Sequence, residues 1–368
     1  MGERFNEFFN AVPEFSQEDK EQETQGLKST YEGSDMISMI EKQKGLGSEG
    51  AALFTDIDNT FIKKGKESAT KELQKKSKEK NFPIIAVTGN DFEGVARRIK
   101  SGELPYFETI AGAVGTEIWV KHTDKNGGIT YKKDVYFENM LQQTGYDRQE
   151  LCKKALLMIS DFEKNHPAWK LDFQRPDREQ HLLEKPDATY QAFKISFHFF
   201  SDPLEIERVS QEVSQFFPDQ SIVLCEEINY NRSLKPDESP KKYCLDILPI
   251  TKAGAVQYLG KITGIKKGIV AGDSGNDTGM LLESGLFTPV LVGGYAREAK
   301  NTIEKNITIK KEGRRSFQKI KDSKNNPKAI YIEQNPQREA AESILRAAEI
   351  LHRAENIKKI RESKIRSK

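Results

Sequence analysis

The sequence predicts an α/β protein in which a doubly wound parallel sheet is interrupted by a second, α+β unit. Three observations carry that reading. Short apolar runs, AALFTDID (51–58), PIIAVTG (83–89), GIVAGD (268–273) and PVLVGG (289–294), recur without polar alternation, as strands buried on both faces do. Helical segments separate them, the order that builds a parallel sheet. Between about residues 121 and 243 the pattern changes to longer helices and alternating strands.

Taken in order, residues 1–50 are polar and broken by Pro13, Gly26, Gly33 and a GLGSEG run, so a loosely held extension is expected, with a protein partner as its one suggested role. The core begins at 51–120 with two strands, the first ending on Asp56 and Asp58, the second on Thr88-Gly89-Asn90. The inserted unit, 121–243, carries the helix ELCKKALLMISDFEKN (150–165) and the strand AFKISFHFF, which places Phe193, Ile195, Phe197 and Phe199 on one face and Lys194, Ser196 and His198 on the other. The core resumes over 244–352, where Lys252 opens a helix, GIVAG forms a strand, KAIYIE (328–333) ends the sheet and a helix runs from about 336 to 352. The tail 353–368 is basic, and no internal repeat is present.

Composition narrows the function. At 368 residues the chain exceeds one typical domain. Lys and Arg total 58 against 56 Asp and Glu, a net charge of +2, which gives no electrostatic footprint for nucleic acid or an anionic membrane. The three cysteines, Cys152, Cys225 and Cys244, lack zinc or redox spacing and suit a reducing compartment. No run nears the roughly 18 apolar residues of a membrane span, and the N-terminus has no signal-peptide core. A soluble, cytoplasmic protein is expected, with export by a route lacking such a signature left open.

The chemistry gathers at strand ends, where parallel sheets bind ligands. Asp56-Ile57-Asp58-Asn59-Thr60 follows one buried strand and Gly272-Asp273-Ser274-Gly275-Asn276-Asp277 another. Carboxylates brought together repel one another and need a cation, and magnesium, which takes a few carboxylates plus phosphate and water, answers that need. Thr88 and Gly89 offer a hydroxyl and backbone N–H groups to phosphate oxygens, and Lys252 offers a fixed positive charge. Taken singly, each has a plain alternative: a solvated turn, a helix cap, a surface lysine. The five histidines, His122, His166, His181, His198 and His352, show no ligand spacing.

These four segments, DIDNT, VTGN, Lys252 and GDSGND, resemble in order the signature motifs of the haloacid dehalogenase superfamily of phosphohydrolases. The insertion between the second and third resembles the C2 cap of the IIB subgroup that includes sucrose-phosphate phosphatases and other sugar phosphatases. The resemblance implies a Rossmann-like core with an α+β cap hinged over the strand ends. It implies Asp56 as nucleophile, Asp58 as acid and base, and Mg2+ held by Asp56, the carbonyl of Asp58 and Asp273, with Asp277 close by or acting through water. Thr60, Thr88, Gly89, Lys252 and Asn276 would contact phosphate. The segments Val114 to Ile118 and Phe193 to Phe197 resemble the sucrose-phosphate phosphatase branch, which makes Glu117 and Lys194 candidate substrate contacts. Where such enzymes often carry Arg after Thr-Gly, this chain has Asn90, which puts that contact to the leaving group in question. The expected reaction is hydrolysis of a small phosphomonoester, a sugar or polyol phosphate, through an aspartyl-phosphate. The rivals are a phosphotransferase or phosphomutase on the same scaffold, and an interaction protein using its terminal extensions.

Overall fold

The structure, a computed structural model, describes residues 30–45, 50–63, 67–166, 192–202, 205–226, 241–283, 285, 287–306, 317–321, 327–335 and 338–351; the first 29 residues and the tail 353–368 lie outside them. The main sheet is built from β1 (Ala51–Thr55), β2 (Ile84–Val87), β3 (Thr109–Gly112), β4 (Glu117–Thr123), β5 (Ile129–Lys133), β9 (Lys267–Gly272), β10 (Thr288–Leu291), β11 (Phe317–Lys321) and β12 (Pro327–Ile332). Its order is β11-β12-β10-β9-β1-β2-β3-β4-β5. Pairing is parallel from β12 through β3 and antiparallel at both edges.

This order explains where a site can form. From β1 the chain winds outward through β2 and β3 and later returns on the other side of β1 through β9 and β10, so winding reverses between β1 and β9. A crevice opens beyond the strand ends at such a point. Thr55 lies opposite Ala271 on one side and Ala86 on the other, so Asp56, Gly272 and Val87 leave the sheet side by side.

Each face of the sheet is covered, as the unalternating apolar strands require. Ala52 and Phe54 point to one face, packing with α1 (Asp35–Gly45), α4 (Val135–Gln142) and α7 (Lys252–Thr263). Leu53 points to the other, packing with α2 (Ser68–Lys80), α3 (Phe92–Lys100) and a helix over 340–351.

A second, antiparallel sheet has the order β6-β8-β7, from β6 (Ile195–Ser201), β7 (Ser221–Glu226) and β8 (Lys241–Leu248). Phe197, Phe199, Leu245 and Ile247 pack on α5 (Arg148–Asn165) and α6 (Ile206–Phe216), the face the alternation in AFKISFHFF foretold. Strand membership differs from the expected exchange at 121 and 243. The main sheet runs on through β5 to Lys133, and β8 belongs to the small sheet. Alternation marks an exposed face but does not say which sheet a strand joins.

Residues 30–45 also differ from expectation. Rather than lying loose, α1 buries Met36 and Ile40 in the core. The Gln43 amide donates to the Ala51 and Asn81 carbonyls at 2.8 and 2.7 Å and accepts from Ala51 N at 2.6 Å, tying α1 to the start of β1.

Candidate active site

Asp56 follows β1 and Asp273 follows β9, and these strands pair in parallel. Asp56, Asp273 and Asp277 each bring a carboxylate oxygen within 4.8 Å of the others, and all are buried. Such a group needs positive charge. Lys252, fully buried at the start of α7, donates to Asp56 Oδ1 at 2.8 Å, Asp277 Oδ1 at 2.7 Å and Asn276 Oδ1 at 3.2 Å. Burial alone would lower its pKa, but the two carboxylates outweigh that and hold it above the ordinary lysine value. One ammonium does not balance three carboxyls. Burial pushes Asp56 up to about 7 against the pull of Lys252, and burial with Asp277 and Asp56 nearby raises Asp273 well above its usual range.

The protein satisfies these groups unequally. Asp277 Oδ2 accepts from Asp273 N at 3.0 Å and from Ser274 N and Oγ at 3.1 Å, closing a capping turn. Asp273 Oδ1 accepts from Thr60 Oγ1 at 2.8 Å, while its Oδ2 is buried with no partner among the described residues. An orphaned carboxylate oxygen beside two further carboxylates fits a hard divalent cation with oxygen ligands. Thr60 thus hydrogen-bonds to Asp273 and orients it.

Asp58 points the other way. It is outside the buried acidic group, with its side chain 49% exposed, at a turn in which Asn59 takes a φ of 61°. Arg98, from α3, grips it through Nη1 to Oδ2 at 3.0 Å and Nη2 to Oδ1 at 2.7 Å, and Asn90 Nδ2 donates to Oδ2 at 3.0 Å.

Thr88 is buried after β2 and its Oγ1 accepts from Asn90 N at 3.2 Å. The loop after β3 clamps this segment: Val114 N donates to Thr88 O at 2.9 Å and Ala113 N to Asn90 O at 2.7 Å. Ala113 and Val114 take φ values of 50° and 62°, the second strained for the β-branched valine, and both are maintained by those bonds. Gly89 O accepts from Lys194 Nζ at 3.3 Å, which brings a residue preceding β6 of the small sheet over the strand ends. Lys194 also pairs with Asp246 Oδ1 at 3.5 Å, and Ser196 Oγ donates to the same oxygen at 2.5 Å.

Glu117 stands apart from this group. Its oxygens accept from Phe92 N at 2.6 Å and Trp119 Nε1 at 3.1 Å, so it tethers the start of α3. Two residues escaped sequence reasoning. Asp246 alternates with Tyr243, Leu245 and Ile247 on β8, a pattern hidden by assigning that strand to the main sheet. Arg98 lies on the α3 helix, and nothing in the local sequence separates it from an ordinary surface arginine.

The family model for sucrose-6F-phosphate phosphohydrolases matches residues 50–320. The chain belongs to the sucrose-6F-phosphate phosphohydrolase family. As a member of that family it is a phosphoric monoester hydrolase of the haloacid dehalogenase type. Among solved structures, the sucrose-phosphatase of Synechocystis sp. PCC6803, in complex with sucrose and phosphate, is similar at a TM-score of 0.52 and 23% identity, covering 81% of this chain and 96% of that one. The fold of this family member is therefore that of the cyanobacterial protein. A haloacid dehalogenase-like hydrolase from Bacillus subtilis aligns at a TM-score of 0.41 and 17% identity over 85% of this chain and 99% of its own. A phosphatase of the same superfamily from Bacteroides thetaiotaomicron aligns at 0.42 and 15% over 70% and 89%. No curated protein matches the sequence of this phosphohydrolase.

Proposed function

We propose that this phosphohydrolase is a magnesium-dependent phosphatase that hydrolyses a sugar or polyol phosphate through an aspartyl-phosphate on Asp56. The observation that carries the reading is the convergence of Asp56, Asp273 and Asp277 within 4.8 Å, beside buried Lys252 and with Asp273 Oδ2 unpartnered among the described residues. Asp56 attacks phosphorus in line as the bond to the sugar oxygen breaks, and Asp58 gives that oxygen its proton. Asp58 then takes a proton from the water that attacks the phosphoenzyme, releasing phosphate and restoring Asp56. Lys252, Thr88 and the Gly89 backbone hold the transferring group, with Asn276 braced by Lys252 and by Ser274 Oγ at 2.9 Å. Asp56, Asp273, Asp277 and the Asp58 carbonyl would hold Mg2+, which when bound neutralises charge on the phosphoryl oxygens and keeps Asp56 ionised.

The small sheet with α5 and α6 is the cap in this reading, which assigns the chain from about 147 to 248 to it. Lys194, reaching Gly89 O, and Asp246 are its substrate contacts. The same reading keeps Asn90 at the leaving group through Asp58. It assigns the protein to the cytoplasm, which three free cysteines support.

Phosphate release is to be assayed with Mg2+ over a panel of sugar and polyol phosphates that includes sucrose 6F-phosphate. Turnover that vanishes in Asp56→Asn, by about 10³-fold or more, is expected. Failure to release phosphate from every member, or undiminished turnover by Asp56→Asn, overturns the reading.

A further inference from the structure

The acid that protonates the leaving group lies in the open mouth of the site, and a carboxylate 49% exposed has no packing to fix its rotamer. Here three donors fix it. Asp58 Oδ2 accepts from Arg98 Nη1 and Asn90 Nδ2, both at 3.0 Å, whereas among the described residues Oδ1 accepts only from Arg98 Nη2 at 2.7 Å. The Arg98 side chain is better covered, at 22% exposure, and is itself anchored. Its Nε and Nη2 lie 2.9 and 2.7 Å from Glu103 Oε1, and its carbonyl accepts from Glu103 N at 3.0 Å and Leu104 N at 3.1 Å at the end of α3. A planar fork on both oxygens of a carboxylate sets its direction as well as its charge, which separates this pair from an ordinary surface ion pair.

We propose that Arg98 is the positioning residue for the leaving-group acid, holding Asp58 by Oδ2 so that Oδ1 faces the departing alcohol. The proposal rests on the role given to Asp58 above. In the first step the Asp56–phosphorus bond forms and the phosphorus–oxygen bond to the substrate breaks. The electron pair stays on the leaving oxygen, which takes the proton from Oδ1. Oδ2, with two donors, keeps the carboxyl in place when Oδ1 carries that proton and gives up its single donor. Arg98 touches neither substrate nor phosphorus in this arrangement. It limits which leaving groups the enzyme handles: an alkoxide must be protonated, whereas a nitrophenolate departs without a proton.

That difference is the test. Wild type, Arg98→Ala, Arg98→Lys and Asp58→Ala are assayed for kcat/KM, which reads the steps up to alcohol release, on sucrose 6F-phosphate and on 4-nitrophenyl phosphate. Arg98→Ala is expected to lose about 10²-fold on the sugar phosphate and less than about threefold on the aryl ester, the range lost with general acid catalysis. Arg98→Lys, with a point charge and no fork, should recover part of the loss and guards against a folding defect in the alanine variant. Equal losses on both esters, or none on either, overturn the proposal and leave the pair a structural one. If Asp58→Ala shows no leaving-group dependence, the assignment of Asp58 has failed first, an outcome distinct from failure at Arg98 alone.

Discussion

Asp273 is where folding and function pull apart. Its Oδ2 is buried without a partner among the described residues, beside two other carboxylates, and its pKa stands well above the ordinary aspartate range, raised by burial first and then by Asp277 and Asp56. The folded protein therefore binds protons more tightly here than the unfolded chain does. The sign follows: without metal this site favours folding at acid pH, and that contribution is lost as pH rises from the ordinary value near 4 through about 7, where Asp56 titrates. Asp273→Asn should raise the metal-free Tm at pH 8 by about 2–5 °C. It should also abolish the rise in Tm that Mg2+ gives wild type. Differential scanning fluorimetry with and without Mg2+ checks both, and a destabilised variant that keeps the Mg2+ shift would count against the metal assignment. Asp56 and Asp273 were legible in sequence because each closes an apolar strand run, and Asp277 because it lies in the glycine-rich turn that follows. Arg98 and Asp246 were not, since an arginine in the last turn of a helix and an aspartate on an alternating strand gain meaning only when distant segments meet.

At the scale of elements, α1 shows the same limit. DMISMIEKQKG spaces Met36 and Ile40 four apart, one face of a helix, but flanking glycines and a polar composition masked it. In the structure this face packs against the sheet near β1, and Gln43 fixes the strand that delivers Asp56. Ile40, 1% exposed, should cost about 2–5 kcal/mol of stability when truncated to alanine, read from denaturant midpoints. Removing residues 1–46 should lower stability by more than this, so loss of activity in that deletion would not identify a partner-binding segment. An Ile40→Ala variant as stable as wild type would mean that α1 is not docked. The buried parallel strands were readable because burial on both faces leaves a continuous apolar run. Strands β5 and β8 and the end of β4 join a different sheet from the one expected, because alternation alone does not name a partner.

For the whole molecule, the question is how the small sheet seats on the strand ends. Gly275 lies in the turn between Asp273 and Asp277, and a Cβ there would come 2.8 Å from Leu224 O on β7 and 3.3 Å from Glu298 Cγ. The first neighbour is backbone of a paired strand and cannot swing aside as a side-chain end can. The close approach of the two sheets therefore depends on the absence of one carbon in the loop that carries two of the acidic residues. Lys194 reaches Gly89 O from the same small sheet, so displacement at Gly275 would draw it from the leaving-group side as well. Gly275→Ala should leave Tm within about a degree, because the added methyl obstructs an interface and not a core, yet raise KM for a sugar phosphate by about tenfold as the cap contacts are lost. Hydrogen exchange over β7 should quicken in the variant while exchange in β1 and β9 stays slow. Unchanged KM with unchanged exchange would mean that the seated arrangement is not the one in which substrate is held, and Lys194 and Asp246 would then lose their claim on the sugar.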